Sequence, residues 1–233
     1  MKPTVLFISC EHAVNHVPAD YHPLLAPTDP ILKTHRAMDF GALTLAKAMS
    51  EACQCEYINA TVSRLLIDCN RSVTHPHCFS EYTASLPAKD KQHLLTHYYQ
   101  PYRQAVEAAI QAKITQGAQV FHISSHSFTP VFQGKTRNNG IGLLYDPKRH
   151  GEKEVARQWQ GLLSQQTHYR VRMNYPYRGS NDGFTSHLRK CHPEQDYLGL
   201  ELEVNQILVN DADSFKPLIT ALSSSLQELL QLL

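Results

Sequence analysis

The sequence lacks several features that would assign it to a common class of protein. No segment approaches the roughly 20 apolar residues that a membrane-spanning helix requires. No run of lysine or arginine is long enough to follow a nucleic-acid backbone, and the 22 basic side chains are nearly balanced by 21 acidic ones. We therefore expect neither a membrane nor a nucleic acid as a partner, and the sequence sets no oligomeric state.

The first residues also lack the pattern of a secretory signal peptide. A short apolar run is followed by Cys10, Glu11 and His12, where a signal peptide would continue its apolar stretch. Of the six cysteines, Cys53 and Cys55 are separated by one residue, and no second pair has this spacing. Neither a disulfide framework nor a zinc ribbon is indicated, and we expect a cytoplasmic protein with free thiols.

What the sequence does contain is an alternation of strand-like and helix-like segments. The 233 residues are 42% hydrophobic, which is enough for one sizeable core, so we expect a single domain over residues 1–233. Strands are predicted at 4–10, 55–70, 118–125, 140–146, 169–174 and 197–205, and helices at 35–54, 91–117, 152–166 and 213–233. Segments 71–89 and 175–196 read as irregular, and a break is expected near Pro101. The order predicts an α/β three-layer sandwich with a central, mostly parallel mixed sheet.

Four of the predicted strands end in side chains that could carry chemistry. They are Glu11 and His12 after the first, Asp68, Asn70 and Arg71 after the second, His126 after the third, and Glu201, Glu203 and Asn205 after the last. Ligands of open α/β sheets bind at the carboxyl ends of the strands. Histidine and carboxylate are the usual ligands of catalytic zinc, a separate glutamate can act as general base, and arginine suits a substrate carboxylate. The pattern favours a metal-assisted hydrolase acting on a small carboxylate.

Each of these features also has a structural reading. A single histidine at a strand end is more often hydrogen-bonded than metal-bound, and His122, deeper in its apolar run, is better read as a core residue. Glu201 and Glu203 share one face of a strand, which is also typical of an edge strand with one solvated face. Arg64 and Arg71 could be ordinary surface ion-pair partners.

Several segments together resemble the N-formylglutamate amidohydrolase family. They are "SCEHAVNHVP", "HRAMDFGA", "SRLLIDCNRS", "HISSHSFTPV", "RNNGIGLLYD", "MNYPYRGSNDGFTSH" and "LELEVNQIL", in order from about residue 8 to residue 208. No one motif is specific, but their ordered combination is. The resemblance implies a phosphorylase/hydrolase-like α/β domain, related in architecture to zinc carboxypeptidases and aspartoacylase-like enzymes. It also implies hydrolysis of an amide or formamide bond in a small acidic substrate.

The resemblance further implies roles for particular residues. His12 and His126 match the metal-binding histidines, and Glu203 best matches the general base, with Glu201 as the alternative register. Asn70 and Arg71 match a pair that holds a substrate carboxylate. Arg64 is a weaker candidate for that contact. Independently of the resemblance, we expect Tyr177 and Arg178 in the Gly- and Ser-rich loop "PYRGSNDG" to close over the substrate, although the same loop is equally readable as an ordinary solvent-exposed connection.

One position departs from the carboxypeptidase pattern. Asn15 stands where those sites place a ligand glutamate, three residues after the first histidine. We expect Asp39 to supply the missing oxygen ligand, because Glu11 adjoins His12 on an extended chain and would point to the opposite face. Asp39 is almost equally readable as a cap of the following helix.

The expected function is therefore that of a zinc-dependent amidohydrolase. His12, Asp39 and His126 would hold one Zn²⁺ ion, which makes a bound water more acidic, and Glu203 would take the proton. A metallo-carboxypeptidase or a deacylase of other N-acyl amino acids is the alternative enzyme. A metal- or ligand-binding domain without turnover is the alternative that is not an enzyme.

Overall fold

The computed structural model describes residues 2–233 and contains eight strands and seven α-helices within them. The strands are β1 (Thr4–Cys10), β2 (Glu56–Asn59), β3 (Gln119–Phe128), β4 (Val131–Phe132), β5 (Lys135–Thr136), β6 (Ile141–Leu144), β7 (Val171–Met173) and β8 (Tyr197–Asn205). The helices are α1 (Ala42–Cys53), α2 (Ala88–Leu94), α3 (Gln100–Thr115), α4 (His150–Gln166), α5 (Phe184–Cys191), α6 (Gln206–Val209) and α7 (Ala212–Leu232). None of these helices combines the length and apolar character that crossing a membrane requires.

Six strands form the central sheet, in the order β2-β1-β3-β8-β6-β7. All neighbouring strands are parallel except β6 and β8, which are antiparallel. The predicted mostly parallel mixed sheet is confirmed. β8 lies inside the sheet between β3 and β6, so the edge-strand reading of Glu201 and Glu203 is wrong.

One face of the sheet is covered by α1, α4 and α7. Their apolar stripes recur at helical spacing, as in Trp159 and Leu163 of α4 or Leu222 and Leu226 of α7, and are fully buried. They pack against the odd-numbered positions of β3 and the even-numbered leucines of β8. This face forms a dry, apolar core.

The other face is covered by α2, α3, α5 and the long connections around them. Its core is apolar at the base of the strands, where Phe7 and Val120 lie, and polar toward their carboxyl ends. His122 is fully buried there and lies 2.7 Å from the Tyr197 hydroxyl and 2.8 Å from Ser9 Oγ, which confirms it as a core residue. Burial lowers the pKa of His122 to about 4, so the ring is neutral at physiological pH.

Two predicted elements are wrong. Only Glu56–Asn59 of the predicted strand 55–70 is a strand, and residues 63–70 form turns in which Leu66 N donates to Ser63 O. The irregular segment 175–196 contains α5. The predicted break near Pro101 is absent: a π-helical turn, Leu95–Tyr99, joins α2 to α3 in one continuous helical run, and Pro101 lies at the start of α3.

A buried ion pair joins α5 to α4 and β8. Arg189 Nε lies 2.9 and 3.0 Å from the two carboxylate oxygens of Glu152, and both residues are buried. Arg189 also donates to the carbonyls of Gly179 and Gly199, and Glu152 accepts from the Gly199 amide. The pair therefore fixes α5 against the sheet.

We expect Glu152→Gln to lower the free energy of unfolding by roughly 3–5 kcal/mol, because it leaves the Arg189 charge buried without its counter-ion. Urea denaturation measures this change. Glu56→Gln is the control, since Glu56 pairs with Lys113 at the surface at 2.7 Å and should cost less than about 1 kcal/mol. An equal loss of unfolding free energy in the two variants would contradict a stabilising role for the buried Glu152–Arg189 pair.

Candidate active site

The site forms where β1, β3 and β8 end on the polar face of the sheet. His126 of β3 lies directly opposite Glu203 of β8 in the strand register, so both side chains point to the same face. The chain turns sharply after β1, which brings the His12 ring to within 4.9 Å of the His126 ring, centroid to centroid. Two histidines and a glutamate, one from the turn after β1 and the others from β3 and β8, thus face one space.

Asp39 reaches the same space from the connection before α1. Its amide donates to the His12 carbonyl at 2.9 Å, which ties this connection to the end of β1. Gly41 follows with a left-handed φ of 74°, and a Cβ there would lie 2.4 Å from Val209 Cγ1, so only glycine fits. Gly41 and not Asp39 caps α1, so the capping alternative for Asp39 is wrong.

His12, Asp39 and His126 converge on a single oxygen. Asp39 Oδ2 lies 3.2 Å from His12 Nδ1 and 2.8 Å from His126 Nδ1. One ligand atom from each residue lies within 4.8 Å of the others, and all three side chains are buried. Two nitrogens and a carboxylate oxygen are a donor set that suits a zinc ion.

The outer nitrogens of both rings are held by other carboxylates. His12 Nε2 lies 2.8 Å from Asp68 Oδ1, and His126 Nε2 lies 3.0 Å from Glu11 Oε2. Metal-binding histidines commonly donate their second N–H to a carboxylate, which fixes the ring and the tautomer. The expectation that Glu11 points away from the site is wrong, because the turn after Cys10 breaks the extended geometry on which it rested.

The charges of this group are mutually dependent. Burial opposes ionisation of Asp39, but His12 and His126 outweigh it and hold the pKa of the Asp39 carboxyl well below its ordinary range. Burial likewise opposes the charged form of His126, yet Asp39 and Glu11 raise its pKa well above the ordinary value. Arg64 Nη2 lies 2.8 Å from Asp68 Oδ2 and joins the network from the outside.

Glu203 behaves in the opposite way. Burial raises the pKa of its carboxyl from 4.5 to about 8, because the negative charges of Asp39 and Glu201 add to the loss of hydration and the positive charges of His126 and Arg64 offset only part of it. Its Oε2 atom is buried and has no hydrogen-bond partner among residues 2–233. Glu201, two positions earlier on the same face, is paired with the Thr185 hydroxyl. Glu203 is thus the unpaired carboxyl of the site.

Every residue that the sequence predicts for the site lines one cavity of about 120 Å³. Asn70 Oδ1 accepts from the Phe184 amide at 2.7 Å, and its Nδ2 lies 3.4 Å from His126 Nε2. Arg71 donates to the carbonyl of Asp182. Tyr177 and Arg178 are exposed at the mouth, where Tyr177 contributes a side chain that is 39% exposed.

Other residues of the site escaped the sequence analysis. The sequence pattern places Asp68 at a strand end without indicating a role, because its pairing with His12 depends on a turn that has no strong local signal. Arg137 is buried behind Tyr177, where its Nη1 lies 3.2 Å from the Tyr177 hydroxyl. Asn15 lies outside the cavity and donates to the carbonyl of Leu32 at 2.7 Å, so it has a structural contact.

Known protein structures were compared with this chain, and two of them have a similar fold. A protein of Agrobacterium tumefaciens has a similar structure, with a TM-score of 0.79 and 26% identity over 97% of this chain and 88% of that one. The N-formylglutamate amidohydrolase of Ralstonia eutropha JMP134 has a TM-score of 0.68 and 17% identity over 99% of this chain and 93% of that one. At that identity the second likeness establishes a shared fold. No curated protein matches the chain.

The sequence was also compared with models of protein families. The model described as N-formylglutamate amidohydrolase matches residues 4–209. That range includes all of the residues whose side chains line the cavity, and it confirms the resemblance drawn from the motifs. The chain belongs to the N-formylglutamate amidohydrolase family.

Proposed function

We propose that this protein is a zinc-dependent hydrolase of the amide or formamide bond in a small N-substituted acidic amino acid such as N-formylglutamate. The observation that carries the proposal is the unpaired buried carboxyl of Glu203, which shares one small cavity with the His12, Asp39 and His126 side chains. Family membership supports the reaction class.

The donor set fits a metal ion. His12 and His126 would contribute their Nδ1 atoms and Asp39 its Oδ2, since these atoms face one another while both outer nitrogens are tied to carboxylates. Three protein ligands are typical of catalytic zinc, which supplies Lewis acidity and makes a bound water more acidic. Asp68 and Glu11 would accept the Nε2 protons of the two rings and orient the rings from behind, so that Nδ1 is the nitrogen that each ring would offer to the ion.

Glu203 is the residue suited to move the proton. A general base must be able to hold a proton near the working pH, and burial gives this carboxyl a pKa that is much higher than that of an exposed glutamate. Its Oε2 atom has no competing donor. Glu203 would accept the proton of the attacking water and return it to the nitrogen of the leaving amine.

Asn70 and Arg71 would hold a carboxylate of the substrate and so position its amide bond. Both line the cavity, and the Arg71 guanidinium contacts the backbone carbonyl of Asp182 and forms no ion pair within residues 2–233, so it is suited to contact a substrate carboxylate. A cavity of about 120 Å³ is smaller than the roughly 300–1,000 Å³ typical of drug-sized ligands. This favours a small substrate over a polymer. Arg64 is neutralised by Asp68 and is less suited to this contact.

We expect the purified protein to contain about one divalent metal ion per chain, and its removal with a chelator to abolish hydrolysis of N-formylglutamate until zinc is restored. Metal analysis and an amine-release assay measure the two quantities. His126→Ala should lose the metal, whereas His97→Ala, on an exposed side chain, should retain it. Full activity in the metal-free protein would refute the metal dependence.

Glu203→Gln should lower kcat by about 10²–10⁴ while the metal content is unchanged, because the carboxamide cannot accept the proton. Glu201→Gln is the matched control, two positions along the same strand face and paired with Thr185. Steady-state kinetics with metal analysis of both variants separates loss of the base from loss of the ion. A larger loss in Glu201→Gln would transfer the base to that residue.

The raised pKa of Glu203 also predicts a pH-dependent stability in the chelated protein. The folded state binds this proton more tightly than the unfolded chain, so the contribution is present below about pH 4.5 and is lost as the pH rises to about 8. Each unit of difference in pKa corresponds to about 1.4 kcal/mol. Glu203→Gln should therefore gain stability over wild type as the pH rises.

Urea unfolding of chelated protein between pH 5 and pH 9 tests this. The exposed Glu51→Gln serves as the control and should follow the wild type throughout. A difference between Glu203→Gln and wild type that does not change with pH would contradict the assigned pKa.

A further inference from the structure

A buried arginine outside the cavity has no acidic partner. Arg103 of α3 is 6% exposed, and no carboxylate within residues 2–233 forms an ion pair with it. Its guanidinium lies over the ring of Phe184, 4.1 Å from the ring centroid, and 5.1 Å from that of Tyr99. Burial of a cation without a counter-ion costs free energy of folding, so the hydrogen bonds that compensate the Arg103 guanidinium indicate what it does.

Those hydrogen bonds go to the backbone on both sides of Asn70. Arg103 Nη1 lies 3.3 Å from the Cys69 carbonyl and 3.3 Å from the Arg71 carbonyl. The Tyr99 hydroxyl donates to the same Arg71 carbonyl at 2.7 Å. Two side chains of one helix thus hold the peptide groups that carry Asn70 and Arg71.

The helix is built to present both side chains together. Tyr99 and Arg103 are four residues apart, which places them on the same helical face. Tyr99 ends the π-helical turn, and such turns are frequent at functional sites. Phe184, on which Arg103 stacks, donates its amide to Asn70 Oδ1, so the side chain of Asn70 is held from a third direction.

We propose that Tyr99 and Arg103 are positioning residues that fix Asn70 and Arg71 for binding the substrate carboxylate. This inference rests on the proposed function of Asn70 and Arg71. The segment 68–72 consists of turns and contributes to no strand. Within the segment, the Asn70 amide donates to Asp68 Oδ1 and the Arg71 amide to the Asp68 carbonyl. Tyr99 and Arg103 add the contacts that hold its carbonyl groups from outside.

The test uses Tyr99→Phe and Arg103→Lys. Tyr99→Phe removes one donor without changing the packing, and Arg103→Lys keeps the charge but loses the flat guanidinium that stacks on Phe184. Arg149→Lys is the matched control, because Arg149 also donates to backbone carbonyls, those of Tyr197, Arg189 and His192, but lies outside the cavity.

Each variant is assayed on N-formyl-L-glutamate and on the two derivatives in which one carboxylate is converted to a carboxamide. We expect KM for the parent to rise about tenfold in Arg103→Lys, with a smaller rise in Tyr99→Phe and little change in kcat. The derivative that lacks the carboxylate held by Asn70 and Arg71 should be a poor substrate for the wild type. Its KM should not rise further in Arg103→Lys or Tyr99→Phe. An equal loss on all three substrates would overturn the proposal, since it would indicate a general structural defect.

Amide hydrogen exchange of the free protein supplies a readout that needs no turnover. Exchange in segment 68–72 should accelerate in Tyr99→Phe and Arg103→Lys, and remain as in wild type in Arg149→Lys. If wild type hydrolyses none of the three compounds, the proposed function fails while this measurement still decides whether the segment is held. Unchanged exchange in both variants would overturn the positioning role.

Discussion

The arrangement of the site depends on one shared oxygen, Asp39 Oδ2, which both histidines approach with their Nδ1 atoms. The other nitrogen of each ring is held by a second carboxylate, Asp68 for His12 and Glu11 for His126, which orients the ring toward this oxygen. Arg64 offsets the charge of Asp68, but Asp39 and Glu11 still give the buried space around the two imidazoles a negative charge. This negative charge favours a cation, and it explains why the pKa of His126 is raised in spite of its burial.

The two faces of the sheet differ in how much they contribute to stability. The face covered by α1, α4 and α7 is apolar and supplies stability in the ordinary way. On the opposite face the strands bury serines, histidines and glutamates toward their carboxyl ends, and nearly all of these find hydrogen-bond partners. Glu203 is the exception, and a module that only binds a ligand has no need of an unpaired buried carboxyl. The exception therefore favours catalysis over simple binding.

Strand alternation is what made the site partly predictable. His126 and Glu203 follow apolar runs, and the period of two places them on one face once the strands are neighbours. Asn70 reaches the cavity, and Asp68 reaches the outer nitrogen of His12, for a different reason than expected, because turns and not a strand carry them there. The position of Glu11 depends on the turn after Cys10, and the local sequence contains no residue pattern that predicts this turn. Helix α5 is short, and its residues Thr185, Ser186 and His187 are weak helix formers, so the local sequence does not indicate it. Its contacts are tertiary: Phe184 and Leu188 pack in the core, and Arg189 pairs with Glu152.

The carboxyl groups of Asp39 and Glu203 have pKa values that are shifted in opposite directions, and these shifts distinguish their roles better than their positions do. Asp39 and Glu203 line the same cavity, yet the histidines hold the first ionised while burial keeps the second protonated to about pH 8. A carboxyl that stays ionised is suited to holding a cation, and one poised near neutrality is suited to exchanging a proton. Arrival of a cation beside Asp39 would lower the pKa of Glu203 as well, since the positive charge favours the carboxylate. Binding of the ion would thus convert Glu203 into the base that the reaction needs.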